Sequence, residues 1–143
     1  MKSKNSLNHT AWECKYHVIF IPKCRKKALY GALKNDLGEV FHDLAARRQS
    51  TIEEGRVCVD HVHMMISIPP KYAVSQVIGY IKGKSAIYIA RFFEKRRNVR
   101  GHSFWARGFY VNTVGRDEEK VRKYIKNQEV QDRRVDQMSF VLD

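Results

Sequence analysis

Cysteine is scarce in this sequence, and the few cysteines follow no ordered spacing. There are three of them, Cys14, Cys24 and Cys58, an odd number without a C-x-x-C pair. This usage argues against a zinc knuckle and against a disulfide framework, because both need paired cysteines. Cys14 and Cys58 lie in strand-like segments, where a free cysteine packs as a small core hydrophobe.

Acidic residues and long apolar runs are also lacking. The chain has 15 Asp and Glu against 27 Lys and Arg, a net charge of +12. Such an excess predicts a polyanionic partner, either nucleic acid or an anionic membrane surface. No apolar run is long enough to span a bilayer, and the first six residues carry no apolar signal core. We therefore interpret the chain as a cytoplasmic protein, associated with the nucleoid when it binds DNA.

What is present suits one folded unit. The 143 residues are 43% hydrophobic and 11% aromatic, enough for one core without disulfides. We expect a single domain over 1–143, with a loose polar tail at about 1–10 and another at about 131–143. Alternation and helical spacing predict these elements in order: strand 11–21, helix 33–48, strand 51–59 with a bulge or kink near Gly55, a strand from Asp60 to Pro69, helices on either side of a break at 82–85, strand 104–114, and a last helix after Gly115. This order predicts an α+β fold, an antiparallel sheet sandwiched by helices in the ferredoxin-like or RRM-like style.

The segment from Asp60 to Pro69 carries a pair of histidines. Side chains alternate faces along a strand, so His61 and His63 share one face, and the core face carries Val62, Met64, Ile66 and Ile68. Two neighbouring imidazoles are a compact pair of metal ligands. On its own, a His-x-His is more often a pair of ordinary polar residues, so a metal site needs a further ligand from elsewhere.

The last helix offers candidates for completing such a site. Tyr124 and Gln128 are four residues apart, which places them one turn apart on the same helical face. Tyr124 is either a core aromatic beside Val121 and Ile125 or a reactive group among the surrounding lysines and arginines.

Basic residues cluster in two stretches, 23–27 and 91–100. They are interpreted either as solvated turns or as contacts to nucleic-acid phosphates. The candidates for DNA contact are Lys23, Arg25, Lys26, Lys27, Arg96 and Arg97 in these stretches, and Arg107 outside them. Lys84 is either a further DNA contact or an ordinary surface charge.

Five stretches together carry a resemblance to a known family. They are residues 12–20, 60–64 with the Pro69-Pro70 ending, 79–85, 104–115 and 124–128. In these stretches, and over about residues 7–130, the chain resembles the single-tyrosine HUH transposases, the insertion-sequence-200-like family. HUH means His-hydrophobic-His, which is His61-Val62-His63 in this sequence.

The resemblance implies a chemistry for these residues. His61 and His63 would bind a divalent metal, Mg²⁺ or Mn²⁺, with the amide oxygen of Gln128 as the third ligand. Tyr124 would attack a phosphodiester in single-stranded DNA and form a 5′-phosphotyrosine, from which strands rejoin without ATP. Three neutral ligands suit this role because they leave the charge of the metal uncancelled.

The resemblance also implies an assembly and a DNA partner. Members of the family act as homodimers in which the two sheets merge and a tyrosine helix can complete the His pair of the other subunit. Gly115 is then either a hinge for that helix or an ordinary turn before it. The expected DNA carries hairpins at the ends of the element. The alternatives are a non-catalytic module that binds nucleic acid on its sheet, a domesticated relative, and a replication or relaxase nuclease, although the last are usually larger.

Overall fold

The computed structural model of the chain describes residues 5–7, 9–23, 29, 31–92, 104–115 and 118–137, with side chains described at 9–23, 29, 31–92, 104–115 and 118–127. Its elements are, in chain order, β1 (Asn5–Leu7), β2 (Thr10–Trp12), β3 (Lys15–Phe20), α1 (Gly31–Ala46), β4 (Thr51–Val57), β5 (Val62–Ser67), α2 (Val74–Phe92), β6 (Tyr110–Val114) and α3 (Glu118–Gln137).

The main sheet has four strands in the order β4-β5-β3-β6, and every neighbouring pair is antiparallel. β5 is therefore an inner strand, flanked by β4 and β3, and all six of its residues are buried. A separate two-stranded hairpin joins β1 to β2. The predicted α+β class with an antiparallel sheet between helices is confirmed.

One face of the sheet holds the hydrophobic core. Val18 and Phe20 of β3 and Met64 of β5 point to this side, where α1 and α2 pack against each other and α1 packs on β4. The ring of Phe20 meets Phe41 of α1 edge-on. Strand alternation then assigns the opposite face to the histidines, as the sequence predicts.

The opposite face is covered by α3, which contacts β4 and β5. Met65 and Ile125 are fully buried there. Because α3 packs on β4 and β5, the part of this face beyond those two strands is more open. The candidate site lies where the covered and open parts meet.

α2 runs without interruption through the predicted break at Lys82-Gly83-Lys84-Ser85. Ser85 does not cap a new helix. Its hydroxyl donates to the Lys82 carbonyl and accepts from the Trp105 indole, and the side chain is buried. A glycine inside a helix costs only about 1 kcal/mol relative to alanine, which the packing of this buried helix face outweighs.

Several element boundaries differ from the prediction. The strand expected over 11–21 is two strands, β2 and β3, which belong to different sheets. Residues 5–7 pair with β2, although they were expected to lie in a loose tail. The last helix continues to Gln137, past the tail expected from 131. The strand expected over 104–114 begins only at Tyr110. Gly108 has a positive φ of 74°, which interrupts the extended backbone before that residue.

The irregularity of β4 lies at Glu53 rather than at Gly55. Ile52 pairs with Ile66 and Glu54 pairs with Met65, so Glu53 is the extra residue of a β-bulge. The bulge allows Glu53 and Glu54, which are consecutive, both to reach Arg122 of α3.

Candidate active site

Three histidines from two neighbouring strands meet on the face that α3 covers. His61 immediately precedes β5, His63 lies within it, and His17 comes from β3. The ring centroids of His61 and His63 are 4.7 Å apart, and His17 Nε2 lies 3.1 Å from His63 Nδ1. The pair predicted from the sequence is adjacent in space. His17, which the sequence places on the polar face of its strand, was not assigned to the site.

The strand register explains why His17 reaches His63. His17 pairs with Met65 and His63 pairs with Ile19, so the two histidines are diagonal neighbours on one sheet face. Diagonal neighbours in an antiparallel pair are within reach of aromatic side chains. The alternating pattern of β3 indicates that His17 faces away from the core. Which residue His17 contacts there depends on which strand pairs with β3, and the sequence pattern does not show that.

His61 has a different hydrogen-bond partner from His63. His61 Nδ1 lies 2.7 Å from the Asp60 carboxylate, a short contact between adjacent residues. Both imidazoles of the pair therefore use Nδ1 for a hydrogen bond within the protein.

Burial favours the neutral form of His17 and His63. Burial, followed by repulsion from His61 and His17, lowers the pKa of His63 to about 3. Burial also lowers the pKa of His17. Neutral imidazoles keep the lone pair that a metal ion requires, so the environment of His63 favours ligation over protonation.

Tyr124 of α3 lies against this cluster. Its ring centroid is 5.4 Å from that of His63 and 5.9 Å from that of His17, in edge-on geometry. The side chain is 45% exposed, whereas the next residue, Ile125, is fully buried. Of the two interpretations of Tyr124, the core aromatic is therefore excluded, because Ile125 anchors the helix and Tyr124 faces the boundary with solvent.

A closed ring of four charges fixes α3 on the sheet. Lys15 Nζ lies 3.0 Å from Glu53 and 3.1 Å from Glu118, and Arg122 Nη2 lies 2.7 Å from Glu53 and 2.9 Å from Glu118. Each cation contacts both carboxylates, and the four side chains are between 7% and 21% exposed. We call these four residues the charge ring. It joins β3 and β4 to the first turns of α3, and it thereby sets where Tyr124 meets the histidines.

A family model described as "Transposase IS200 like" matches residues 10–128. The chain belongs to the IS200-like transposase family. The transposase for insertion sequence element IS200 of Salmonella typhimurium is 41% identical over 141 residues, covering 98% of this chain and 93% of that protein. The ISDra2 transposase TnpA of Deinococcus radiodurans is 27% identical over 120 residues, covering 82% and 85%.

Two solved structures share the fold of this IS200-like transposase. A crystal structure of a candidate transposase from Deinococcus radiodurans R1 aligns with a TM-score of 0.69 at 23% identity, covering 88% of this chain and 98% of that one. A REP-associated tyrosine transposase bound to a REP hairpin aligns with a TM-score of 0.65 at 14% identity, covering 89% and 73%.

The remaining metal ligand predicted for this IS200-like transposase is Gln128. It lies within α3, one turn beyond Tyr124, and its side chain is outside the described part of the chain. Where side chains are described, no group of three or more His, Cys, Asp or Glu is arranged to hold a metal. The imidazoles of His61 and His63 fit two positions of a site whose third ligand is an amide oxygen, a ligand type outside that group of four residue types.

The predicted DNA contacts of the IS200-like transposase divide into two groups. Lys23, Lys84 and Arg107 are exposed. The segments of Lys23 and Arg107 are joined by the Pro22–Trp105 bridge and by the bond from the Lys23 amide to the Phe104 carbonyl. The others lie outside the described residues: Arg25, Lys26, Lys27, Arg96 and Arg97.

Lys82 has a structural role in this IS200-like transposase. Its ammonium donates to the carbonyls of Ala106 (2.8 Å) and Gly108 (2.6 Å), and burial lowers its pKa. It thus ties the segment around Arg107 to α2.

No helix in the described ranges is both long and apolar enough to cross a membrane.

Proposed function

We propose that this IS200-like transposase cleaves and rejoins single-stranded DNA at the ends of an insertion sequence, with Tyr124 as the nucleophile. The observation that carries the proposal is the contact between Tyr124 and His63. Their ring centroids are 5.4 Å apart, and the tyrosine remains half exposed. A substrate phosphate can therefore approach the phenol from solvent while it lies beside the His pair.

The reaction exchanges one phosphodiester for another. The phenol oxygen attacks the phosphorus and loses its proton, and the bond from phosphorus to the 3′ oxygen breaks. The upstream strand leaves as a 3′-OH, and the downstream strand remains on Tyr124 as a 5′-phosphotyrosine. Attack by another 3′-OH reverses these changes and releases the tyrosine. Because one phosphoester bond is formed for each one broken, no ATP is needed.

The donor set proposed for a divalent metal, Mg²⁺ or Mn²⁺, is His61, His63 and Gln128. Imidazole nitrogen and amide oxygen suit Mn²⁺, and they suit Mg²⁺ when phosphate supplies further oxygens. When bound there, the metal would supply a Lewis acid that polarises the scissile phosphate. The chain itself keeps His63 neutral and places Tyr124 beside it.

The proposed DNA partner is a single strand with a hairpin. The net charge of +12 favours phosphate contacts. A fold relative, the REP-associated tyrosine transposase, is bound to a REP hairpin. Lys23 and Arg107, on adjoining segments, are the described candidates for such contacts.

The proposed assembly is a homodimer with a merged sheet. β6 is an edge strand, and four of its five residues are exposed. An edge strand carries unpaired backbone groups that a second copy can satisfy. In the single chain, Tyr124 already meets its own His63. Exchange of α3 between subunits, with Gly115 as the hinge, would bring Tyr124 of a second copy to the same His pair.

The test is a covalent-adduct assay on a hairpin-bearing oligonucleotide with Mg²⁺ or Mn²⁺. A 5′-phosphotyrosine keeps a 3′-end label on the protein through SDS and releases a 5′-end label. We expect the adduct with the wild type and none with Tyr124→Phe or with EDTA. The matched control is Tyr110→Phe, since Tyr110 is also exposed and its ring lies 6.2 Å from that of His17.

An adduct of wild-type yield from Tyr124→Phe would overturn the proposal. Tight binding of the hairpin without any adduct would instead support the alternative, a non-catalytic or domesticated hairpin-binding protein.

A further inference from the structure

The Nδ1 atoms of His61 and His63 have different hydrogen-bond partners. His61 Nδ1 faces the Asp60 carboxylate at 2.7 Å. His63 Nδ1 faces His17 Nε2 at 3.1 Å. Neither partner belongs to the nucleophile and metal-ligand set proposed above, and His17 comes from a different strand.

The His17–His63 contact has the geometry of a directed hydrogen bond. The two ring planes differ by only 15°, and their centroids are 5.4 Å apart. That separation is the N–N distance plus the two ring radii, so the imidazoles lie edge to edge rather than face to face. A nitrogen lone pair lies in the ring plane, and a near-coplanar pair therefore aligns the donor with the acceptor.

The position of the protons decides which nitrogen can bind a metal. An ionised carboxylate only accepts, so Asp60 keeps the proton of His61 on Nδ1 and leaves its Nε2 lone pair free. In the other pair, one imidazole donates and the other accepts. If His63 donates from Nδ1, its Nε2 is free. If His17 donates from Nε2, His63 carries its proton on Nε2 and cannot ligate through that atom.

We propose that His17 is a positioning residue for His63: it accepts the Nδ1 proton of His63, fixes the orientation of the ring, and leaves Nε2 as the ligand atom. Asp60 does the same for His61. Such partners of metal-binding histidines fix both tautomer and ring orientation. The assignment rests on the metal site of the proposed function. The positions of the imidazole protons on His61 and His63 can nevertheless be measured in the metal-free protein.

The first measurement is the tautomer of His63 in the metal-free wild type, from long-range ¹H–¹⁵N correlation spectra at pH 7.5. We expect His61 and His63 both to be protonated at Nδ1. A His63 protonated at Nε2 would overturn the proposal. This result stands whether or not the protein binds metal.

The second measurement is Mn²⁺ affinity without DNA, from the electron paramagnetic resonance signal of free Mn²⁺. His17→Phe fills the space but cannot accept, and we expect affinity about 10- to 100-fold weaker. His17→Gln restores an acceptor and is expected within a few-fold of wild type. The packing control is Met65→Leu, because Met65 is buried, pairs with His17 across the strands and makes no such bond.

The outcomes separate this inference from the proposed function. Equal Mn²⁺ affinity for His17→Phe and wild type would overturn the role of His17 and leave the metal site intact. A wild type that binds no Mn²⁺ would overturn the proposed metal ligands, and the tautomer measurement would still decide the role of His17. If His17→Phe does not fold, the same tautomer measurement decides, together with the Mn²⁺ affinity of His17→Gln.

Discussion

Lys15 of the inner strand β3 and Glu118 of the first turn of α3 form a buried ion pair, with Nζ and Oε1 3.1 Å apart. This contact links the first residue of β3 to the first residue of α3, the helix that carries Tyr124. Through it, and through the rest of the charge ring, the position of the proposed nucleophile depends on residues that do not touch the His cluster. Mutations in the charge ring can therefore change the position of α3 without altering the residues proposed to carry out the reaction.

Glu118→Gln should loosen α3. The substitution leaves Lys15 with the carboxylate of Glu53 alone, and Arg122 with Glu53 and the longer contact to Glu54. Removing one partner from a buried pair costs about 3–5 kcal/mol. We expect faster hydrogen exchange in α3 with little change in β5, measured by mass spectrometry. Glu119→Gln is the matched control, because Glu119 is exposed. Equal exchange in both variants would show that the charge ring does not seat the helix.

The stability of the metal-free protein should fall as the pH is lowered from about 6.5 toward 3. The pKa of His63 is lowered on folding to about 3, so the unfolded chain binds this proton more tightly. The contribution is fully present above pH 6.5 and is reduced by about 2 kcal/mol at pH 5. Urea unfolding of the wild type and His63→Gln across this range isolates it from the carboxylates. A constant difference between the two proteins would contradict the prediction.

Ser85→Ala should destabilise the core between α2 and the segment before β6. The Ser85 hydroxyl accepts from the buried Trp105 indole, with Nε1 and Oγ 3.0 Å apart, and the alanine leaves that donor unpaired. The expected cost is about 1–3 kcal/mol in the free energy of unfolding. Ser75→Ala, at an exposed position of the same helix, should change stability by less than about 0.5 kcal/mol.

Val111→Lys should weaken the proposed dimer. Val111 is exposed on the edge strand β6, and an added charge on an edge strand opposes pairing with another edge. Sedimentation velocity should show a shift from dimer toward monomer. Thr51→Lys, on the opposite edge strand β4, is expected to leave the dimer unchanged. If both variants remain dimeric, the interface lies elsewhere.

Local pattern was sufficient to predict the antiparallel sheet, its helices and the shared face of His61 and His63. The alternation of apolar residues fixes which way each strand side chain points, and the four-residue spacing of Tyr124 and Gln128 fixes their common helical face. His17 was beyond such reasoning. Its contact with His63 depends on the register of β3 against β5, which is set by pairing between residues far apart in sequence.

Ser85 and Glu53 show why the remaining details were missed. The Lys82-Gly83-Lys84-Ser85 stretch has weak helix propensity, and burial of the neighbouring helix face overrode it. Gly55 was the better local candidate for a bulge. The ladder is instead irregular at Glu53, which contacts Lys15 and Arg122. Both outcomes were decided by partners that are distant in sequence.

The charge ring has a consequence for how this basic protein meets DNA. Its two cations and two anions sum to zero, so it adds nothing to the net charge of +12. The lysines and arginines that attract phosphate are thus a different set from the two that hold α3. Added salt therefore acts on the two sets unequally: exposed charges lose their attraction for DNA first, while the mostly buried ring keeps Tyr124 in place. Loss of DNA binding with rising ionic strength should accordingly precede any detachment of the helix.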